Sequence, residues 1–269
     1  MIKVGVFVRG RMSNGKIVRR ELAMLREDNI FYAKRNLVDS IWKEAHIEGI
    51  NVTFPDTQEI VEGRSVSGLT VDEVFAINNL KHAWQFVFDT LDEPLDLDWI
   101  CKLNRKVGEG GVVRYAGDLR TGMVRVAGSS YIPERPVPEA VSAHLEEIAA
   151  IEDPVDRAVY MLAFIARAQM FNDGNKRTGQ LAANKILIES GEGILAIPIE
   201  EKRTFGERLV AFYESADEAA LCGFLKERCI DCPDLAPHAD TPARDMELAK
   251  EQARLRRRAP DVQRPTRGR

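Results

Sequence analysis

The stretch Gln169-Met170-Phe171-Asn172-Asp173-Gly174-Asn175-Lys176-Arg177-Thr178-Gly179 decides how the rest of this chain is read. It lies between two runs of helical pattern, 155–168 and 176–189, so Asp173-Gly174-Asn175 is predicted as the tight turn joining two helices. Asp153 has the chemistry of an N-cap, with Pro154 at the first helical position, and Gly191 stands where the second helix would stop. The first free amides of that second helix, from about Asn175 to Arg177, then point back into the turn. Unpaired N–H groups at the positive end of a helix dipole make an anion site. Lys176 and Arg177 add two positive charges, and Asp173 supplies a hard oxygen suited to Mg²⁺. Together these groups suit a Mg²⁺-bound polyphosphate. The competing reading is an ordinary interhelical turn carrying a solvated Lys-Arg pair. A Walker A loop is excluded, because Asn175 separates the glycine from the lysine.

With 269 residues and 45% apolar content, the chain has enough material for one sizeable core, or for one domain with appendages. Its net charge of −4 does not call for nucleic acid as a partner. No run of eighteen apolar residues occurs, and the opening Met1-Ile2-Lys3-Val4-Gly5-Val6-Phe7-Val8-Arg9 is too short for a signal peptide. The expectation is a soluble, cytoplasmic protein that does not span a membrane. Four cysteines, with Cys229 and Cys232 as a lone C-x-x-C pair, lack both the four ligands of a zinc site and a redox context. They are expected as reduced thiols.

Outward from the turn, the periodicity is helical over most of residues 20–230, which predicts an all-α fold. A helical run covers 20–46, with a break expected near Asp28-Asn29. Further helices are predicted over 71–90, opened by a Thr70/Glu73 capping box, and over 96–106, 137–151, 202–215 and 217–228. The exceptions are two. Ser13-Asn14-Gly15-Lys16 is a turn of the kind that closes a hairpin. Between 108 and 138, glycines punctuate short β-branched alternations at 112–115 and 123–126, which read as strands. From Pro233 the composition changes: five of the twelve prolines fall there, with nine Lys/Arg against six Asp/Glu, a disordered basic tail by composition.

Phe171, Asp173, Gly174, Asn175, Lys176 and Arg177 resemble the signature of the Fic/Doc (Fido) family, H-x-F-x-[DE]-G-N-[GK]-R-x-x-R. The resemblance extends over 36–232 and implies a helical bundle with a small β-hairpin flap. It implies Mg²⁺ and ATP, or a related nucleotide, and transfer of AMP to protein hydroxyl groups. Position by position, Asn175 and the turn amides would hold the α-phosphate and Asp173 the Mg²⁺. Arg177 would contact the outer phosphates, Gly174 would allow close approach, and Phe171 would plug the core. Lys176 resembles the Doc branch, whose members transfer the terminal phosphate instead. Residues 117–131 would be the flap that holds a target protein by strand addition.

Two positions depart from the signature: Gln169 stands in the slot of the catalytic histidine, and Gln180 in that of the last arginine. An amide does not accept a proton near neutral pH, so Gln169 occupies the base slot without being a competent base. His46, His82, His144 and His238 are not adjacent to it in sequence.

Residues 36–49 resemble the inhibitory helix found ahead of many Fic domains, [ST]-x-x-x-E-[GN], with Glu48-Gly49 matching and Glu44 in the Ser/Thr slot. The family's glutamate pairs with the last arginine, here Gln180, which leaves Arg177 as the partner for Glu48. The domain reading is therefore 1–35 as an appendage and lead-in helix, 36–232 as the Fic-like domain with its inhibitory-type helix at 36–49, and 233–269 as the tail. The function reading is a slow or impaired AMP transferase. The alternatives are an inactive nucleotide- or partner-binding module and a Doc-like phosphotransferase. A homo-oligomer is left open.

Overall fold

The computed structural model describes residues 23–233, together with the backbone of strands 9–13 and 16–20. The expected tail from residue 234 on, and residues 1–8, 14–15 and 21–22 of the appendage, therefore lie outside the described residues. Strands β1 (Arg9–Ser13) and β2 (Lys16–Arg20) pair antiparallel, with Ser13 opposite Lys16. That register leaves two residues between them, as the Asn14-Gly15 signal predicts.

Among the described residues ten α-helices follow: α1 (Arg26–Arg35), α2 (Leu37–Ile47), α3 (Phe54–Val61), α4 (Val71–Asp89), α5 (Leu97–Val107), α6 (Pro138–Ala149), α7 (Pro154–Ala168), α8 (Asn175–Glu189), α9 (Lys202–Ser215) and α10 (Ala219–Arg228). Two-residue strands β3 (Ile194–Leu195) and β4 (Ile230–Asp231) tie the segment after α8 to the end of α10. The fold is mostly helical with one small hairpin, at 9–20.

The starts of the helices follow the sequence signals. Thr70 and Glu73 close a reciprocal capping box on α4. Asp153 accepts from the amides of Val155 (2.8 Å) and Asp156 (3.0 Å), with Pro154 opening α7. The break expected at Asp28-Asn29 falls instead at Asn36, which caps α1 by donating to Tyr32 O at 2.9 Å. Asn29 is buried inside α1, where its amide holds the carbonyls of Leu187 and Gly193 at 3.0 and 3.1 Å.

Helix α8 runs through the middle, packed most closely on α7 and flanked by α1, α4 and α5. From Asn175 to Ile188 it is buried at every position except Lys176. Gly179 permits that closeness, since a Cβ there would lie 3.1 Å from Leu162 O on α7. A helix buried on all sides must pair its own polar side chains. Asn184 does so by accepting from Leu195 N (2.7 Å) and donating to Leu195 O (2.9 Å), which fixes β3 against it.

Residues 112–137 correct one expectation. No strand forms there, so the flap read at 117–131 is a run of turns and extended loop. The β-branched alternations find no partner edge. The loop carbonyls are gathered instead by one buried guanidinium: Arg120 donates to Gly122 O at 2.8 Å, to Pro133 O at 3.2 Å and to Glu134 O. A cation that satisfies several carbonyls at once fixes the loop without a ladder.

Candidate active site

The turn between α7 and α8 is closed by its own polar groups. α7 ends at Gln169 in the left-handed region (φ 46°, ψ 50°), and Gly174 takes φ 79° ahead of α8. Gly174 must be glycine on two counts. Its φ disfavours a side chain, and a Cβ would lie 3.0 Å from Val107 Cγ1 and 3.1 Å from Asn104 Nδ2. Phe171 is fully buried and anchors the turn in the core, as read from the sequence.

The Asn175 side chain accepts from Phe171 N at 3.0 Å and donates to Phe171 O at 2.9 Å and Gln169 Oε1 at 3.3 Å. That amide is therefore committed to holding the turn. The anion-binding capacity lies in the backbone: α8 has no side-chain cap, and its first i to i−4 bond runs from Thr178 N to Gly174 O.

Lys176 and Arg177 face the end of α2. Glu48 Oε1 is 3.3 Å from Lys176 Nζ, and Glu48 Oε2 is 3.5 Å from Arg177 Nε. Arg177 Nη2 is also 3.5 Å from Asp173 Oδ2. These are ion pairs at long range. Glu48 Oε1 and Arg177 Nε are both buried without a hydrogen-bond partner. Glu48 thus reaches Arg177, the partner that the sequence left for it, and Lys176 as well.

Asp173 accepts from Gly174 N at 2.6 Å through Oδ1, and its side chain is 64% exposed. No cluster of three or more metal-ligating side chains occurs among the described residues. One accessible carboxylate beside an anion cradle fits Mg²⁺ that arrives with phosphate oxygens and keeps its own waters. Asp173 is the residue that would hold it.

One turn earlier on α2, Glu44 is 1% exposed. Its Oε1 accepts from Gln180 Nε2 at 3.1 Å and Trp84 Nε1 at 3.2 Å, while Oε2 has no partner. Burial, helped by the charge of Glu48, pushes this carboxyl up to about 8, against the opposing pull of Trp84, Arg177 and Gln180. It is a neutral acid at pH 7. Gln180, the residue in the arginine slot, is therefore bonded to Glu44 rather than to Glu48.

The base slot remains without a base. Gln169 Nε2 donates to Ala166 O at 2.6 Å. The neighbouring Tyr213 hydroxyl is raised above its ordinary range by burial, against a hydrogen bond from Gln169, so it stays protonated. The described histidines are engaged elsewhere: His46 with Trp42 O (3.0 Å), His82 near Glu109 (3.8 Å) and His144 with Glu147 (3.0 Å).

Two residues that position the site carry no sequence signal. Asn104 on α5 donates to Asp173 O and Thr178 Oγ1, both at 3.1 Å, and accepts from Gly117 N at 2.8 Å. Arg120 donates through Nε to Gln169 O, and its own amide bonds Met170 O at 2.9 Å. Both act over long sequence separations, and only their burial as polar groups marks them.

The site is a tight turn that opens the central helix of a helical bundle. Residues 94–187 match the Fic/DOC family model. It is similar to protein adenylyltransferase fic-1 of Caenorhabditis elegans, at 24% identity over 192 residues, 68% of this chain and 36% of that protein. Protein adenylyltransferase Fic of Drosophila melanogaster is 26% identical over 196 residues, 69% of this chain and 38% of that protein. The chain thus spans little more than a third of the length of these relatives.

The fold is shared with a Fic-domain signalling protein from Bacteroides thetaiotaomicron (TM-score 0.61, 18% identity, 75% of this chain and 84% of that one). It is shared also with residues 134–508 of C. elegans Fic-1 (TM-score 0.58, 22% identity, 86% and 66%). Among the described residues, no helix is long and apolar enough to cross a membrane.

Proposed function

We propose that this chain binds Mg-ATP or a related nucleotide at the N-terminus of α8 and transfers AMP from it, slowly, to a protein hydroxyl. The observation that carries this reading is the uncapped start of α8 with Lys176 and Arg177 beside Asp173. The similar proteins named adenylyltransferases support the reaction class.

In this reading the amides of Asn175 to Arg177 and the two cations hold the phosphate chain, and Gly174 lets it approach the backbone. Mg²⁺, held by Asp173 and by the nucleotide, would neutralise phosphate charge. Asn104 and Arg120 keep the turn in shape. Glu48 competes with phosphate for the same cations, which is the inhibitory role. Gln169 leaves the attacking hydroxyl without a proton acceptor, a loss of about 10²- to 10⁴-fold in rate.

The second reading is a nucleotide- or partner-binding module with no transfer, favoured by the commitment of the Gln169 amide to Ala166 O. Incubation with α- and γ-labelled ATP separates the readings. Label from the α-position on protein supports AMP transfer, and label from the γ-position alone means phosphotransfer. No label with ATP bound leaves the binding module. Arg177→Ala should lower Mg-nucleotide affinity by roughly 10- to 100-fold, the worth of one charge-assisted bond. Wild type that is folded yet binds no nucleotide in calorimetry rejects the phosphate reading.

A further inference from the structure

The cavity between α2 and α8 limits which phosphate chain the site can take. It measures about 10 Å³, and Glu44, Glu48, Lys176, Arg177 and Gln180 are among the residues that line it. Its positive charge comes from the first turn of α8 alone. Lys176 and Arg177 lie in the first turn of α8, where Arg177 has a side chain only 7% exposed and an Nε with no hydrogen-bond partner. A buried guanidinium held only by long ion pairs to Glu48 and Asp173, against an uncapped helix start, leaves room for a better-placed anion.

One turn further along α8 the charge stops. Gln180 is the next residue on that face, three and four positions on from the two cations, and it is neutral and buried. Its Nε2 is already spent on Glu44 Oε1 (3.1 Å) and approaches Leu195 O (3.5 Å). Beside it sits Glu44, whose Oε2 is buried without a partner, and the rest of the wall includes Ile47, Leu162 and Phe205. The lysine at the start of α9, Lys202, is turned to His46 O at the end of α2. Beside Gln180 the cavity thus offers a phosphate no cation, and a single neutral donor, the hydroxyl of protonated Glu44.

We infer that the site is built for a nucleoside diphosphate, with two phosphates matched to Lys176, Arg177 and the α8 amides and no cation provided for a third. This rests on the phosphate-binding reading above and narrows it. Each charge-assisted bond to phosphate changes affinity by roughly 10- to 100-fold. The second phosphate should gain that factor over the first. The third meets no cation, only the neutral Glu44 hydroxyl and apolar walls, and its charge is buried without compensation.

The test is calorimetry with AMP, ADP and ATP in Mg²⁺, on wild type and on Glu48→Ala, which frees the two cations. The expected result is ADP at least ~10-fold tighter than AMP, and ATP within about threefold of ADP or weaker. Gln180→Arg places a cation in the depth of the cavity and should raise the ATP-to-ADP affinity ratio by ~10-fold or more. ATP binding ~10-fold tighter than ADP in wild type or Glu48→Ala overturns the inference while leaving the phosphate site intact. A folded Gln180→Arg protein with an unchanged ratio also overturns it. If Gln180→Arg does not fold, the ratio in Glu48→Ala decides alone. If folded Glu48→Ala binds neither these nucleotides nor inorganic pyrophosphate, the phosphate reading itself falls.

Discussion

The turn and the middle of α8 are tied by hydrogen bonds to three other segments, whereas on α2, across the cavity, one carboxylate is tied and the next is not. Asn104 reaches the turn from α5, Arg120 from the long loop, and Asn184 holds β3. On α2, Glu44 is fixed by Trp84 and Gln180, while Glu48 meets its two cations only at 3.3 and 3.5 Å. The proposed anion cradle is therefore preformed. The group that competes for it sits at the helix end, one turn beyond its nearest anchor. The difference separates what the site is from what controls it, and the two walls should respond differently to mutation.

The largest effect is expected on the preformed wall, from supplying what it lacks. Gln169→His puts an imidazole in the base slot, beside Asn175 and at the left-handed end of α7. An imidazole has a working pKa near neutrality, and a positioned base is worth about 10²- to 10⁴-fold, roughly 3 to 5 kcal/mol of barrier. Transfer of label to protein, including self-modification, should rise by that order. A folded, nucleotide-bound variant as silent as wild type leaves the binding-module reading in place and removes the impaired-transferase one.

Next in size is loss of the wall's own fastening. Asn104→Ala leaves Asp173 O, Thr178 Oγ1 and Gly117 N without their partner at a fully buried position. Unsatisfied buried groups of this kind cost about 1–3 kcal/mol each, so ~3 kcal/mol in total after relaxation is expected. In a domain of this size that lowers Tm by roughly 6–12 °C. A Tm within about 2 °C of wild type would show that the turn is held by other means.

These two residues mark the boundary of what the sequence could tell. Local signals were legible: the Asp153 cap, the Thr70/Glu73 box and the glycine turn at 174 each stand within a few residues of what they control. Glu48 was legible as well, through a short motif. Asn104, Arg120 and the Glu44–Trp84–Gln180 cluster were not, because their partners, Gly122 apart, lie 13 to 136 residues away. A buried polar residue announces itself only once burial is known. The strands read at 112–115 and 123–126 failed for a related reason. Alternation specifies a strand face but cannot supply the neighbouring strand, and Arg120 took up the carbonyls instead.

The carboxylate that is tied should reveal itself through pH. Glu44 titrates near 8 in the folded chain, against an ordinary value of 4.5. Below 4.5 it is protonated folded and unfolded, and its contribution to stability is fully present. As pH rises from there to about 8 the unfolded chain releases the proton while the folded chain keeps it, so that stability is lost progressively and levels off above 8. Glu44→Gln cannot titrate. Thermal unfolding of both proteins at pH 5 and pH 8.5 should show wild type losing on the order of 2 kcal/mol or more relative to the variant at the higher pH. A gap that does not change with pH would falsify the buried, neutral state of Glu44.

The smallest effect is expected where the contact is loosest. Glu48→Ala removes a carboxylate that makes two ion pairs and leaves Oε1 without a hydrogen bond, at a side chain 17% exposed. Pairs of this geometry contribute about 0–1 kcal/mol, so Tm should move by less than ~3 °C. Yet the same carboxylate lies where a phosphate must go, and removing it ends a like-charge contest for Lys176 and Arg177. Affinity for Mg-nucleotide should then rise by roughly 3- to 10-fold, the mirror of a weak pair. Activity should barely change by itself, because Gln169 still offers no base, and should be highest when Glu48→Ala is combined with Gln169→His. The contrast between the walls gives the outcome its meaning. If Glu48→Ala leaves nucleotide affinity where it was in a folded protein, Glu48 is not the competitor for the cradle. If it instead lowers Tm as far as Asn104→Ala does, α2 is a structural wall like the other and no gate.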